Sequence, residues 1–269
     1  MSLLTVRHLD IYFRNKPIVQ NIDFTVRPGE WFTLIGESGS GKSITASAIG
    51  GLLPKEMRIT AGHILFGNKN LTYLSNKEFQ KLRGKEISYV FQDYQSSFTP
   101  FIKIGKQMDE MIQAHCSFTK RERREIAFQA LEDVQLPAKR VYDSYPFQLS
   151  GGQLQRASIA MAIMLNPKLL IADEPTTALD SITAAHVLEV IANIQEKINC
   201  AILFITHDLR QARKYSNTIA VMNQGEIVET GTKESVIHHP CHPYTKMLLD
   251  AVPTIHRSSS SRELDLILK

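Results

Sequence analysis

Apolar residues come in short, sharply bounded runs along the first third of the chain. Leu3 to Arg7 and Ile22 to Val26 alternate apolar with polar positions, the period of a half-buried strand, and Arg27-Pro28-Gly29-Glu30 breaks the chain after them. Trp31-Phe32-Thr33-Leu34-Ile35 is apolar almost throughout, which predicts a strand buried on both faces. The glycine-rich stretch Gly36 to Ser43 follows, then helical spacing from Ser43 to Leu53, stopped by Pro54. Strand patterns return at His63 to Phe66 and Ile87 to Phe91.

Between Ser96 and Asn166 the period becomes helical, most clearly over Lys120 to Val134 and Gly152 to Met164, so this block reads as a helical insertion. Strands resume at Leu169 to Ala172, Ala201 to Thr206 and Thr218 to Met222, with helices between them. Strand, helix, parallel strand is the α/β order, and the early alternating runs form an N-terminal antiparallel β-element. The division expected is an α/β core from residues 1–95 and 167–235, a helical subdomain over 96–166, and a short C-terminal segment over 236–269.

Composition changes this picture little. The 269 residues are 43% hydrophobic and 22% charged, which excludes disordered, collagenous and disulfide-scaffold classes. The net charge of +4 suits phosphate ligands and falls short of a nucleic-acid stripe, so no nucleic-acid partner is expected. Cys116, Cys200 and Cys241 are scattered and form no CxxC pair, as in a reducing compartment. With neither a signal-peptide pattern nor a long apolar stretch, the chain is expected to be intracellular and to reach a membrane only by docking. The run Lys120 to Glu125 reads as a solvated, salt-bridged helix face.

The chemistry concentrates at Gly36-Glu37-Ser38-Gly39-Ser40-Gly41-Lys42-Ser43, a complete G-x-x-x-x-G-K-[ST] pattern between a strand and a helix. Its glycines let backbone N–H groups wrap a phosphate, and the next helix aims its positive end at the same place. Lys42 is expected on the β- and γ-phosphates and the Ser43 hydroxyl on Mg²⁺. Leu169-Leu170-Ile171-Ala172-Asp173 supplies the acidic magnesium partner, Asp173, and Glu174 next to it is the candidate general base. Leu149-Ser150-Gly151-Gly152-Gln153 opens a helix with a second set of free N–H groups, and Gln155 and Arg156 follow.

Together these runs resemble the motifs of ABC ATPases, over residues 3 to 253 or so. The resemblance implies a P-loop NTPase with a RecA-like core and makes Leu149 to Gln153 the signature that meets ATP held by a partner chain. It makes Gln92 the glutamine that contacts Mg²⁺ and the helical subdomain, Asp180 the D-loop acid, and His207 the switch histidine at the γ-phosphate. Phe13 falls where the family stacks an aromatic on adenine, with Tyr12 as the neighbouring alternative. Two such chains then sandwich ATP, closing on binding and opening on hydrolysis.

Tyr145-Pro146-Phe147-Gln148, Ala172 to Asp180 and His242-Pro243-Tyr244-Thr245 resemble the peptide/nickel importer ATPases. That group implies a second homologous ATPase subunit, two membrane permeases and an extracytoplasmic solute-binding protein, with this chain peripheral at the cytoplasmic face. The sequence ends sixteen residues after Pro253 with no cysteine beyond Cys241, so no iron–sulfur cluster is expected. Nickel or a metal chelate is favoured as cargo over di- or oligopeptides. His238-His239-Pro240-Cys241-His242 is rich in metal donors, but Pro240 prevents a regular ligand face, and the string reads as a helix end. Tyr94-Gln95, Ser97 to Pro100 and Ser181-Ile182 depart from the common pattern at positions that face permease or partner.

Overall fold

A computed structural model describes residues 2–251. Two sheets carry it. The first is antiparallel, ordered β2-β1-β4-β5, and uses β1 (Leu4–Phe13), β2 (Lys16–Val26), β4 (Met57–Phe66) and β5 (Lys69–Asn70). The second is ordered β10-β9-β3-β8-β7-β6 and uses β3 (Trp31–Ile35), β6 (Ile87–Val90), β7 (Leu169–Asp173), β8 (Ala201–Thr206), β9 (Thr218–Asn223) and β10 (Glu226–Thr232). It is parallel from β6 to β9, and β10 closes it as an antiparallel edge.

The large sheet separates two cores, and alternation along its strands does the sorting. On β8, Ile202 and Phe204 point to one side, while Ala201, Leu203 and Ile205 point to the other. On β7, Leu170 and Ala172 oppose Leu169 and Ile171 in the same way. One core joins the sheet to α3 (Ile104–His115), α4 (Lys120–Asp133), α5 (Ala138–Asp143), α6 (Gly151–Ile163) and α7 (Ser181–Ile198). The other joins it to α1 (Lys42–Ile49), α2 (Asn76–Leu82) and the antiparallel sheet. A third, smaller core lies under β9 and β10, where α8 (Leu209–Tyr215), α9 (Lys233–His238) and α10 (Pro243–Asp250) pack.

Buried strands fall where the apolar runs place them, and the differences have local causes. β1 and β2 run on to Phe13 and back from Lys16 because ladder bonds, with several register shifts, carry them past their alternating segments. β4 starts at Met57, since its mostly exposed first half is held by pairing with β1. α1 stops at Ile49 instead of Leu53: Gly50 caps it and Gly51 turns left-handed at φ +65°. β10 carries no apolar alternation and is absent from the sequence reading. In α4, Arg121 pairs with Glu125 and Arg123 with Asp109 of α3, so the charge run is a salt-bridged face.

Candidate functional site

The phosphate loop leaves β3 at the carboxyl edge of the large sheet, where ligands sit in open α/β sheets. Gly36 (φ +149°) lies so close to β9 that a Cβ would come within 2.1 Å of the Met222 carbonyl oxygen, so only glycine fits. Gly41 takes the left-handed turn that starts α1. Lys42 is 4% exposed; its Nζ donates to the carbonyls of Gly36 and Glu37, both at 2.8 Å, and to Ser40 Oγ at 3.3 Å. Burial lowers its pKa, against the attraction of Glu174, Asp173 and Glu37. The ammonium is thereby suspended within the cradle, ringed by oxygens.

Beside it, Ser43 Oγ donates to Asp173 Oδ1 at 2.9 Å and the Tyr89 hydroxyl donates to Oδ2 at 2.8 Å. Burial pushes the Asp173 carboxyl above its ordinary value, partly offset by those two hydrogen bonds. Burial and the Asp173 charge together hold the Tyr89 phenol protonated. Ser43 and Asp173 present hard oxygens side by side, a donor set that fits Mg²⁺. Gln92 is exposed and lines a cleft of about 590 Å³ with Tyr94, Asp173 and Ala178, so it opens toward the same carboxylate.

Glu174 adopts φ +46°, a left-handed backbone that a non-glycine residue takes only when its surroundings impose it. Its N–H donates to the Ile205 carbonyl of β8 at 3.0 Å, which pins the turn against the neighbouring strand. The carboxylate accepts from Thr177 Oγ1 at 2.9 Å and lies 3.2 Å from His207 Nδ1. Two tips of adjacent strands thus meet through an acid and an imidazole, a contact suited to proton transfer. Gln211 of α8 ties the same loops together, donating to Thr176 Oγ1 at 3.1 Å and accepting from Thr206 Oγ1 at 3.2 Å.

The signature segment forms a second locus. Ser150 caps α6, accepting from Gln153 N–H at 3.3 Å while the Gln153 side chain accepts from Ser150 N–H at 3.1 Å. No acidic residue occupies the first turn of α6. Asp180 caps α7 by accepting from the N–H groups of Ile182 and Thr183. Ser150 to Gln153 and Asp180 share a cleft of about 470 Å³. Among the described residues the signature and the phosphate loop share no hydrogen bond; Gln155, fully buried, instead links α6 to the Pro175 carbonyl behind Glu174 at 2.7 Å. Phe13 stands half-buried at the end of β1 with the Arg14 guanidinium over its ring, while Ile18 and Val19 of β2 line Gly41.

Tyr89 and Gln211 escape sequence reasoning. Tyr89 reads as one more apolar position of a strand, and the role of Gln211 depends on two loops that meet only in three dimensions. In the His238 to His242 string, His242 Nδ1 accepts the Tyr244 N–H at 3.2 Å and caps α10. Among the described residues no group of three or more His, Cys, Asp or Glu side chains converges to hold a metal, and no helix is long and apolar enough to cross a membrane.

The ABC transporter family matches residues 19–177, and the C-terminal region of oligopeptide/dipeptide transporters matches residues 228–267. The chain is 44% identical over 259 residues, 95% of each chain, to a metal-staphylopine import system ATP-binding protein of Staphylococcus aureus. It is 44% identical over 272 residues, 98% of this chain and 75% of the other, to an oligopeptide transport ATP-binding protein of Bacillus subtilis. Among solved structures, a dimeric ATP-binding cassette in a post-hydrolysis state with ADP and Pi matches with TM-score 0.75 at 28% identity, over 86% of this chain and 98% of that one. Another solved structure, cbiO1 from Clostridium perfringens, part of the ABC transporter complex cbiONQ, matches with TM-score 0.78 at 26% identity, over 88% of this chain and 91% of that one.

Proposed function

The chain belongs to the ABC transporter family and is an ATP-binding, ATP-hydrolysing transporter subunit; from that premise we propose how its residues divide the work. Lys42 and the N–H groups of Gly36 to Ser43 hold the phosphates of ATP, and Phe13 stacks on the adenine. Ser43, Asp173 and Gln92 would hold Mg²⁺, which neutralises charge on the β- and γ-phosphates when bound. Glu174 accepts a proton from the attacking water, and His207 orients that carboxylate and reaches the γ-phosphate. Leu149 to Gln153 and Asp180 complete the ATP site of a partner chain.

The observation that carries this division is the Glu174–His207 contact of 3.2 Å beside the Ser43–Asp173 pair. Glu174→Gln keeps the shape and removes the base. ATP binding is expected to persist while turnover falls by at least about 100-fold, the scale of general-base catalysis. A steady-state ATPase assay paired with equilibrium ATP binding checks it, and retained turnover removes Glu174 from the role.

For the assembly, the reading is one cassette: core 1–95 and 167–235, signature-bearing helical subdomain 96–166 and C-terminal segment 236–269. It works with a second ATPase, two permeases and an extracytoplasmic binding protein, at the cytoplasmic face of the membrane. Support comes from an apolar groove of about 240 Å³ between α1, β6 and α6, lined in part by Leu52, Phe91, Phe98, Met111 and Met161, which offers a seat to a permease helix. For cargo, nickel or a metal chelate is favoured by the alignment with the metal-staphylopine ATPase, which runs over 95% of both chains. The match to the C-terminal region of oligopeptide/dipeptide transporters supports peptide import as the second reading. Uptake of radioactive nickel, free or chelated, against a labelled dipeptide in a deletion strain separates them.

A further inference from the structure

The phosphate loop is gripped from outside by a part of the chain to which the ATP chemistry assigns no role. The Glu37 N–H donates to the Tyr244 hydroxyl at 3.1 Å, across 207 positions of sequence. On the other side of the loop, the Ser40 carbonyl accepts from the Gly225 N–H at 3.1 Å. Gly225 (φ +89°) closes the β9–β10 turn, and a Cβ there would stand 2.5 Å from the Ile18 carbonyl oxygen, so this turn is wedged in place.

Tyr244 is itself fixed. Its ring is 9% exposed in the small core with Ile35, Val221 and Val236. Its helix is anchored to β10, where the Glu229 carboxylate accepts from the N–H groups of Cys241 and His242 at 2.8 and 3.0 Å. Those bonds outweigh partial burial and hold the Glu229 carboxyl below its ordinary value. Glu37 is the shared point: its N–H is bound by Tyr244, and its carbonyl receives Lys42 Nζ at 2.8 Å.

We propose that Tyr244 is a positioning residue for ATP, whose hydroxyl orders the phosphate loop through Glu37 and so sets nucleotide affinity from the C-terminal region. The inference rests on the reading of Gly36 to Ser43 as the ATP cradle. A loop tethered on both flanks is ordered before ligand arrives. With one tether cut it spreads over conformations of which fewer accept phosphate, and apparent affinity falls by the competent fraction. Catalysis at saturation is untouched, since the hydroxyl reaches none of the hydrolytic groups.

Tyr244→Phe keeps the ring in its core and deletes only the hydroxyl. The Kd of a fluorescent ATP analogue and the KM for MgATP are expected to rise about two- to tenfold, the scale of one neutral hydrogen bond, with kcat within about twofold of wild type. Hydrogen exchange of the Glu37–Ser40 stretch should quicken. Kd and KM equal to wild type in a folded variant overturn the proposal. So does a drop in kcat that tracks a lower melting temperature, because that is a purely structural role. A wild-type chain that fails to bind ATP would instead overturn the cradle reading itself.

Discussion

Asp173 shows how a side chain serves a ligand at the expense of the empty fold. Its carboxyl is 8% exposed and its pKa is raised by burial. The folded chain therefore keeps a proton there at pH values where the unfolded chain has released it. This contribution to stability is complete below the ordinary value of 3.8 and is lost as pH rises through the folded value. Asp173→Asn removes the effect, so its melting temperature without nucleotide should gain on wild type as pH rises above about 4. Thermal unfolding across that range checks it, and a gap that stays flat or narrows refutes it. Lys42 is also buried at the expense of the empty fold, with the opposite sign, its pKa being lowered; Lys42→Ala is expected to abolish detectable ATP binding by equilibrium titration, with little loss of fold. The residue types at this site were legible because the loop pattern and the strand ending in Asp173 each dictate a chemistry. The support was not: Tyr89 and Tyr244 act through hydroxyls that a hydrophobicity pattern counts as aromatic surface, and their partners lie 84 and 207 positions away.

Elements were legible in proportion to how fully their own residues decide them. β3, β7 and β8 are buried at every position, so a continuous apolar run marks each one. α4 and α6 begin with capping boxes, Thr119 with Glu122 and Ser150 with Gln153, which announce a helix start locally. β10 and the first half of β4 are held by neighbours and are exposed or half-buried throughout, leaving no pattern to read. The Thr119 cap opens α4. Thr119→Ala is expected to cost about 1 kcal/mol, a melting shift of about 2–4 °C, with ATPase activity unchanged; calorimetry and the steady-state assay read the two effects separately.

At the scale of the molecule, Gly36 to Ser43 and Ser150 to Gln153 occupy different loci, and in the proposed assembly a second chain brings its signature to this chain's ATP. Mixed with the proposed second ATPase subunit, the Glu174→Gln chain is expected to sediment as a dimer in saturating MgATP and as separate chains without nucleotide; analytical ultracentrifugation decides it. The sheet order has a further consequence. β3, which launches the loop, lies between β8 and β9, with Trp31 beside Ile202 and Phe32 beside Thr218. Both neighbours emerge from the ribosome long after β3 itself, and long-range parallel pairing of this kind forms late. For most of translation the ATP-binding strand has no partner on either edge. A stalled or truncated product ending before β8 carries every residue of the loop yet lacks both strands that flank β3. Such a chain is expected to hold no ATP, and it leaves the apolar β3 uncovered on both edges.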